Sequence, residues 1–177
     1  MKQIMLATAN AHKAEEFAAM LKPLGYTVKT LLDLEEAIEI EETGTSFEEN
    51  ALIKARVIHE RLGIEVIADD SGLAVNALNG APGIYSARFM GRDTSYEVKN
   101  QYIIDQCKDV NDRGCQFVCA IAYVTADGRE YVFTGVVEGL VAEHIEGEGG
   151  FGYDPMFYYP PYKTTLANVS EEQKNKV

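Results

Sequence analysis

Apolar positions open the chain as a short run over residues 3–7 and then fall at helical spacing, with Ala14, Phe17, Ala18 and Leu21 at i, i+3, i+4 and i+7. The pattern predicts a strand, a tight loop and a helix from His12. Pro23 and Gly25 stop that helix, and residues 26–31 alternate as a second strand, so the opening is β-α-β. Ser46 with Glu49 three residues on reads as a capping box ahead of the stripe Phe47, Ala51, Ala55, Ile58 and Leu62, which ends at Gly63. An apolar strand over 64–68 is expected to stop at Asp69-Asp70-Ser71-Gly72, with Leu73 to Val75 and a Gly80-Ala81-Pro82-Gly83 turn beyond. A third helix is predicted over 96–108. Residues 115–124 and 129–137 flank Ala126-Asp127-Gly128 as a hairpin, which a purely parallel sheet could not contain. The fold class is α/β with a mixed sheet.

The chain shows no repeat, low-complexity tract or linker, so residues 1–177 read as one domain. Its 46% hydrophobic content supports a full core, and no apolar run reaches the roughly 18 to 20 residues of a membrane span. No signal peptide is evident, and the cytoplasm is the expected location. Cys107, Cys115 and Cys119 lack zinc-ligand spacing and read as reduced thiols. With 16 Lys plus Arg against 28 Asp plus Glu, the net charge of −12 repels a long polyphosphate, which argues against nucleic acid as a partner. A small polyanion can still be held where lysines and a divalent cation converge.

Four groups of residues could supply that chemistry. Thr8-Ala9-Asn10-Ala11-His12-Lys13 lies where a strand hands over to a helix start, whose N–H groups and dipole suit phosphate; it is not a P-loop. Glu41 and Glu42 precede Thr43-Gly44, and Asp69-Asp70 closes a predicted strand at the usual ligand edge of an α/β sheet. Mg²⁺ is the matching cation, since it takes one or two carboxylates and completes its octahedron with water and substrate phosphates. Only one of the two aspartates can face it while the backbone is extended, and Asp-Ser-Gly is also ordinary turn chemistry. Asn50 and Lys54, four apart, share a helix face off the apolar stripe; Lys54 reads equally as a solvated lysine or a phosphate contact. Gly147, Gly149, Gly150 and Gly152 surround Phe151, allowing close backbone approach and an aromatic platform, or forming a plain loop. No histidine sits beside a nucleophile motif, so triad chemistry is unsupported.

Taken together, the motifs resemble the inosine triphosphate pyrophosphatase family, the non-standard purine or dITP/XTP pyrophosphatases. The resemblance runs through 8–13, Phe47-Glu48-Glu49-Asn50-Ala51 with Lys54-Ala55, Ala68 to Leu73, Pro82 to Phe89 and Gly149 to Pro155, in family order. It implies Mg²⁺-dependent hydrolysis of ITP, dITP or XTP to the nucleoside monophosphate and pyrophosphate, which cleanses the nucleotide pool. It implies a long mixed sheet flanked by helices, two lobes with a central cleft, and a homodimer. Residue by residue, Asp70 would be general base and metal ligand, with Lys13 and Lys54 as the catalytic phosphate contacts. Glu41 would be the second metal carboxylate, with Glu42 and Asp69 as competitors. Thr8, Ala9, Asn10, Ala11, His12, Lys13, Ser71, Phe151, Gly152, Tyr153, Asp154 and Lys174 would contact substrate, with Phe151 stacking on the base.

The chain departs from the family at its end, stopping at Val177 before the Ser-His-Arg segment and closing helix. The expectation is weaker base selectivity, and the alternative reading is a catalytically impaired nucleotide-binding homologue. Ser170 and Gln173 form a capping box that opens a helix of barely two turns.

Overall fold

The computed structural model describes residues 2–177. Strand β1 (Lys2–Leu6), helix α1 (Ala11–Leu21) and strand β2 (Tyr26–Thr30) form the expected β-α-β opening, with β1 and β2 parallel from Lys2↔Tyr26 to Leu6↔Thr30. Helix α2 (Phe47–Leu62), strand β3 (Val66–Val75), helix α3 (Tyr96–Gln106) and strands β4 (Gly114–Val124) and β5 (Glu130–Val141) follow. Two short strands, β6 (Phe157–Tyr159) and β7 (Thr164–Thr165), and a four-residue helix α4 (Glu171–Lys174) complete the chain. The seven strands form one sheet in the order β2-β1-β3-β4-β5-β6-β7, parallel for β1 with β2 and β3, antiparallel for β6 with β5 and β7. The sheet is therefore mixed, as the hairpin required.

Two compact units divide the chain, Met1–Asp70 with Cys119–Gly135 and Ser71–Val118 with Val136–Val177, and the divisions fall within β3, β4 and β5. In the first unit Ala51, Ala55 and Ile58 of α2 are fully buried against Met5, Val66, Ala68, Ala120 and Ala122. Alanines on both the helix and the strands allow close approach, and burying Ile58 alone is worth about 1.5–3 kcal/mol. In the second unit Ile103 and Ile104 of α3 pack with Leu73, Val141, Met156 and Phe157. Burial pushes the Cys115 thiol up to about 12, with the neighbouring Cys107 adding to the shift, so it stays protonated. All three cysteines are reduced.

Three sequence expectations need correction. The strand predicted to stop at Ala68 continues to Val75, so Asp69-Asp70-Ser71-Gly72 is strand and not turn. Tertiary context overrides the local turn preference, because β3 lies between β1 and β4 in the sheet and Asp69 is neutralised by a lysine from α1. At α2, Ser46 accepts the Glu49 N–H, but Glu49 returns its carboxylate to the Thr45 N–H at 2.7 Å, one residue earlier than a capping box requires. The last helix does carry its capping box, at Ser170 and Gln173, but spans four residues.

Candidate functional site

In the first unit, the loop between β1 and α1 and the start of α1 carry residues 8–13, the first of the candidate groups. Thr8 is buried at the end of the strand and accepts the Asn10 N–H at 3.1 Å, while Ala9, Asn10, Ala11 and His12 are exposed. Asn10 caps α1, its Oδ1 accepting from His12 N at 3.0 Å and Lys13 N at 3.3 Å. Lys13, one turn into the helix, reaches β3 and donates to Asp69 Oδ2 at 2.5 Å. Burial alone would lower the Lys13 pKa, but the charge and hydrogen bond of Asp69 outweigh it, aided by Cys119 and Asp70, and the net shift is upward. Lys13 is cationic throughout the neutral range.

Successive side chains of a strand face opposite ways, and the two aspartates accordingly have different surroundings. Asp69, 1% exposed, is the counterion of Lys13. Asp70, 7% exposed, lies in the field of Lys54, Glu42, Asn50 and Lys13. Desolvation dominates and raises its pKa to about 6; Glu42 adds to the rise, and Lys54, Asn50 and Lys13 oppose it. Its Oδ2 is buried without a hydrogen-bond partner.

Helix α2 brings the other groups. Asn50 is fully buried, whereas the sequence placed it off the apolar stripe; it accepts the Gly44 N–H at 2.8 Å. A Cβ on Gly44 would stand 2.6 Å from that oxygen, so the segment carrying Glu41 and Glu42 can approach α2 only with glycine there. Lys54 is not a solvated lysine: its side chain is 12% exposed and its Nζ lies 3.4 Å from Glu42 Oε1. Glu41 is exposed, and of the two glutamates it is Glu42 that reaches Lys54 and Asp70.

Among the described residues no three His, Cys, Asp or Glu side chains converge as a complete metal cage. A buried, unpaired carboxylate oxygen on Asp70 with Glu42 nearby fits a cation that takes one or two carboxylates and leaves its remaining positions to water and phosphate. It does not fit one that needs a full protein cage.

The second unit holds the aromatic segment. Phe151 is flanked by Gly150 and Gly152, both at φ +64°, and its N–H donates to Asp154 Oδ2 at 3.0 Å. A Cβ on Gly150 would meet that oxygen at 2.2 Å, so the turn is built for glycine. Lys174 of α4 lies 2.7 Å from Asp154 Oδ2 and 4.1 Å from the Phe151 ring centroid, so residues 23 apart in sequence share one ion-paired, cation–π cluster. Tyr153 is turned into the core, its ring edge-on to Tyr96 and its hydroxyl donating to Ser86 O at 2.6 Å. Ser71 follows Asp70 on β3 and is half-buried. Sequence reasoning missed Asn50 as the group that seats Gly44, although its spacing from Lys54 was visible.

The Ham1 family model matches residues 4–177. A dITP/XTP pyrophosphatase of Bacillus licheniformis is 44% identical over all of this chain and 91% of its own length, and one of Halalkalibacterium halodurans is 42% identical over all of this chain and 92% of its own. Among solved structures, the Staphylococcus aureus Ham1 protein is 42% identical and superimposes with a TM-score of 0.88 over 99% of this chain and 91% of that one. A match spanning both units, and with them both the lysine–carboxylate cluster and the glycine-flanked phenylalanine, establishes that this chain belongs to the Ham1 family.

Proposed function

We propose that the chain hydrolyses non-standard purine nucleoside triphosphates of the ITP, dITP and XTP type to the nucleoside monophosphate and pyrophosphate. The observation that carries the proposal is the convergence within one unit of Lys13, Lys54, Asp70 and Glu42, drawn from α1, α2, β3 and the segment before α2. Two cations beside a buried carboxylate suit a triphosphate and an attacking water, and relatives over 40% identical are named dITP/XTP pyrophosphatases.

In this reading Lys13 and Lys54 bind phosphate oxygens and stabilise the charge that develops on them, with Thr8 to His12 lining the same corner. Asp70 orients the attacking water and takes its proton. Mg²⁺, held by Asp70 and a carboxylate of the Glu41–Glu42 pair, would neutralise phosphate charge when bound. Asp69 fixes Lys13 in place. Phe151 supplies the stacking ring for the base, with Gly152, Asp154 and Lys174 supporting it, Ser71 contacts substrate, and Tyr153 props the segment from the core. The expected pool is that of the cytoplasm, and no described helix is long and apolar enough to cross a membrane. A homodimer is supported by Tyr131 and Phe133, two residues apart on β5 and 43% and 62% exposed; sedimentation as a monomer at micromolar concentration would remove it.

Incubation with ITP and Mg²⁺ tests the activity. Pyrophosphate with IMP is the expected product pair; orthophosphate with IDP, or no turnover, would overturn the assignment. Omission of Mg²⁺ with added chelator should abolish the reaction.

A further inference from the structure

Helix α3 turns two polar side chains inward near its start, Lys99 and Asn100, each 1% exposed. Neither is needed to describe the lysine–carboxylate cluster, which lies in the other unit. Lys99 Nζ donates to Ala87 O at 3.2 Å and stands 4.7 Å from the Tyr96 ring centroid. Asn100 Nδ2 donates to Gly152 O at 3.0 Å, while its Oδ1 is buried with no hydrogen-bond partner. A carboxamide buried with its acceptor unfilled weakens a fold relative to an apolar side chain of similar size, such as leucine. The bond to Gly152 therefore calls for a purpose other than stability.

Gly152 supplies that purpose, since it follows Phe151 directly. Both glycines around the phenylalanine occupy the left-handed region at φ +64°, and a glycine peptide rotates more freely than any other. The Phe151 N–H is held by Asp154, which Lys174 also engages. On the C-terminal side, Asn100 grips the carbonyl of the next peptide from a rigid helix. The ring is thus fastened at its amide by Asp154 and beyond its carbonyl by Asn100, so that it need not be ordered when a base arrives.

We propose that Asn100 is a positioning residue that sets the purine-binding affinity of the site by immobilising the Phe151–Gly152 peptides. The proposal rests on the reading of Phe151 as the ring that stacks on the base. Its chemistry is specific: replacing Asn100 by aspartate exchanges the Nδ2 donor for an acceptor facing the Gly152 carbonyl, and the peptide is pushed out of place. The triphosphate contacts are assigned to the other unit and are untouched.

The test compares wild type, N100D, N100S and K99M by steady-state hydrolysis of ITP and by competitive inhibition with inorganic tripolyphosphate, which carries phosphates but no base. N100D should raise KM for ITP about tenfold, the scale of one lost hydrogen bond, with kcat within twofold and the tripolyphosphate inhibition constant unchanged. N100S, smaller and uncharged, should follow in the same direction and decides the matter if N100D does not fold. K99M alters a neighbouring buried side chain that does not touch the base segment and should leave KM within twofold. An unchanged ITP KM in the folded Asn100 variant, or equal weakening of ITP and tripolyphosphate, would overturn the proposal. Failure of wild type itself to hydrolyse ITP would instead overturn the functional reading on which it rests.

Discussion

Replacing Asp70 by asparagine should make the protein inactive and more stable at once. Asp70 titrates at about 6 in the folded chain against an ordinary 3.8, chiefly because burial disfavours its charge. At acid pH below both values it is protonated in folded and unfolded chains alike and costs nothing. As pH rises from 3.8 toward about 6 the unfolded chain gives up its proton first, so stability falls, and above that range the whole cost is carried. Two pKa steps correspond to about 3 kcal/mol at pH 8, and about half of that is already present at pH 5. D70N removes the charge and keeps the shape. In metal-free buffer with chelator its denaturant midpoint should correspond to about 2–3 kcal/mol of added stability at pH 8, and to clearly less at pH 5. Pyrophosphate release from ITP should fall by at least about 100-fold. Saturating Mg²⁺ should then close the gap by stabilising wild type by about 3 kcal/mol at a hundredfold excess over its dissociation constant, with little effect on D70N. A variant no more stable than wild type at pH 8, or a gain that does not shrink at pH 5, would refute the account of Asp70 as a desolvated carboxylate that stability sacrifices for chemistry.

The lysines should separate by what they leave behind. K13M and K54M should each lower kcat/KM about 100-fold or more, but K13M removes the counterion of the 1%-exposed Asp69 and should also cost about 3–5 kcal/mol in urea unfolding, whereas K54M leaves a Glu42 whose side chain is 30% exposed and an Asp70 that can relieve its lost opposing charge by protonation, and should cost less. The glutamate pair is resolved by Mg²⁺ titration of activity: because the Glu42 charge reaches Asp70, E42Q should raise the half-saturating Mg²⁺ about tenfold and E41Q less than twofold, and the opposite order would move the metal carboxylate to Glu41.

Much of this organisation was legible before any coordinates because the decisive signals were local. The i, i+4 spacing on α1 and α2, the stop at Gly63 in the left-handed region and the hairpin around Gly128 depend on a few neighbouring residues. What escaped were features decided by distant partners. Asp69-Asp70-Ser71-Gly72 has the composition of a turn but continues a strand that lies between β1 and β4 in the sheet, with Asp69 held by a lysine 56 residues away. Asn50 reads as a polar residue off the core face, yet it is fully buried because Gly44 brings a backbone N–H to it. The two- and three-residue strands β7 and β6 lie below the length at which alternation can be counted. The site was the same mixture: each motif alone had an ordinary structural explanation, and only the resemblance across all of them ranked the residues.

The strand extension at β3 changes how the acidic pair should be understood. Had the chain turned at Ala68, two flexible carboxylates would have shared one exposed edge, and either could have served as base. Continued in extended geometry, the pair is divided by the pleat into two surroundings. Asp69 meets Lys13 in a close ion pair and spends its charge on holding a cation still. Asp70 has no such dedicated partner at its Oδ2, and the charge that opposes its rise most, Lys54, is itself shared with Glu42. Burial with incomplete compensation keeps the Asp70 carboxyl more basic than usual. The two adjacent aspartates thus differ because the extended backbone sends them to opposite faces, one toward Lys13 and the other toward Lys54 and Glu42.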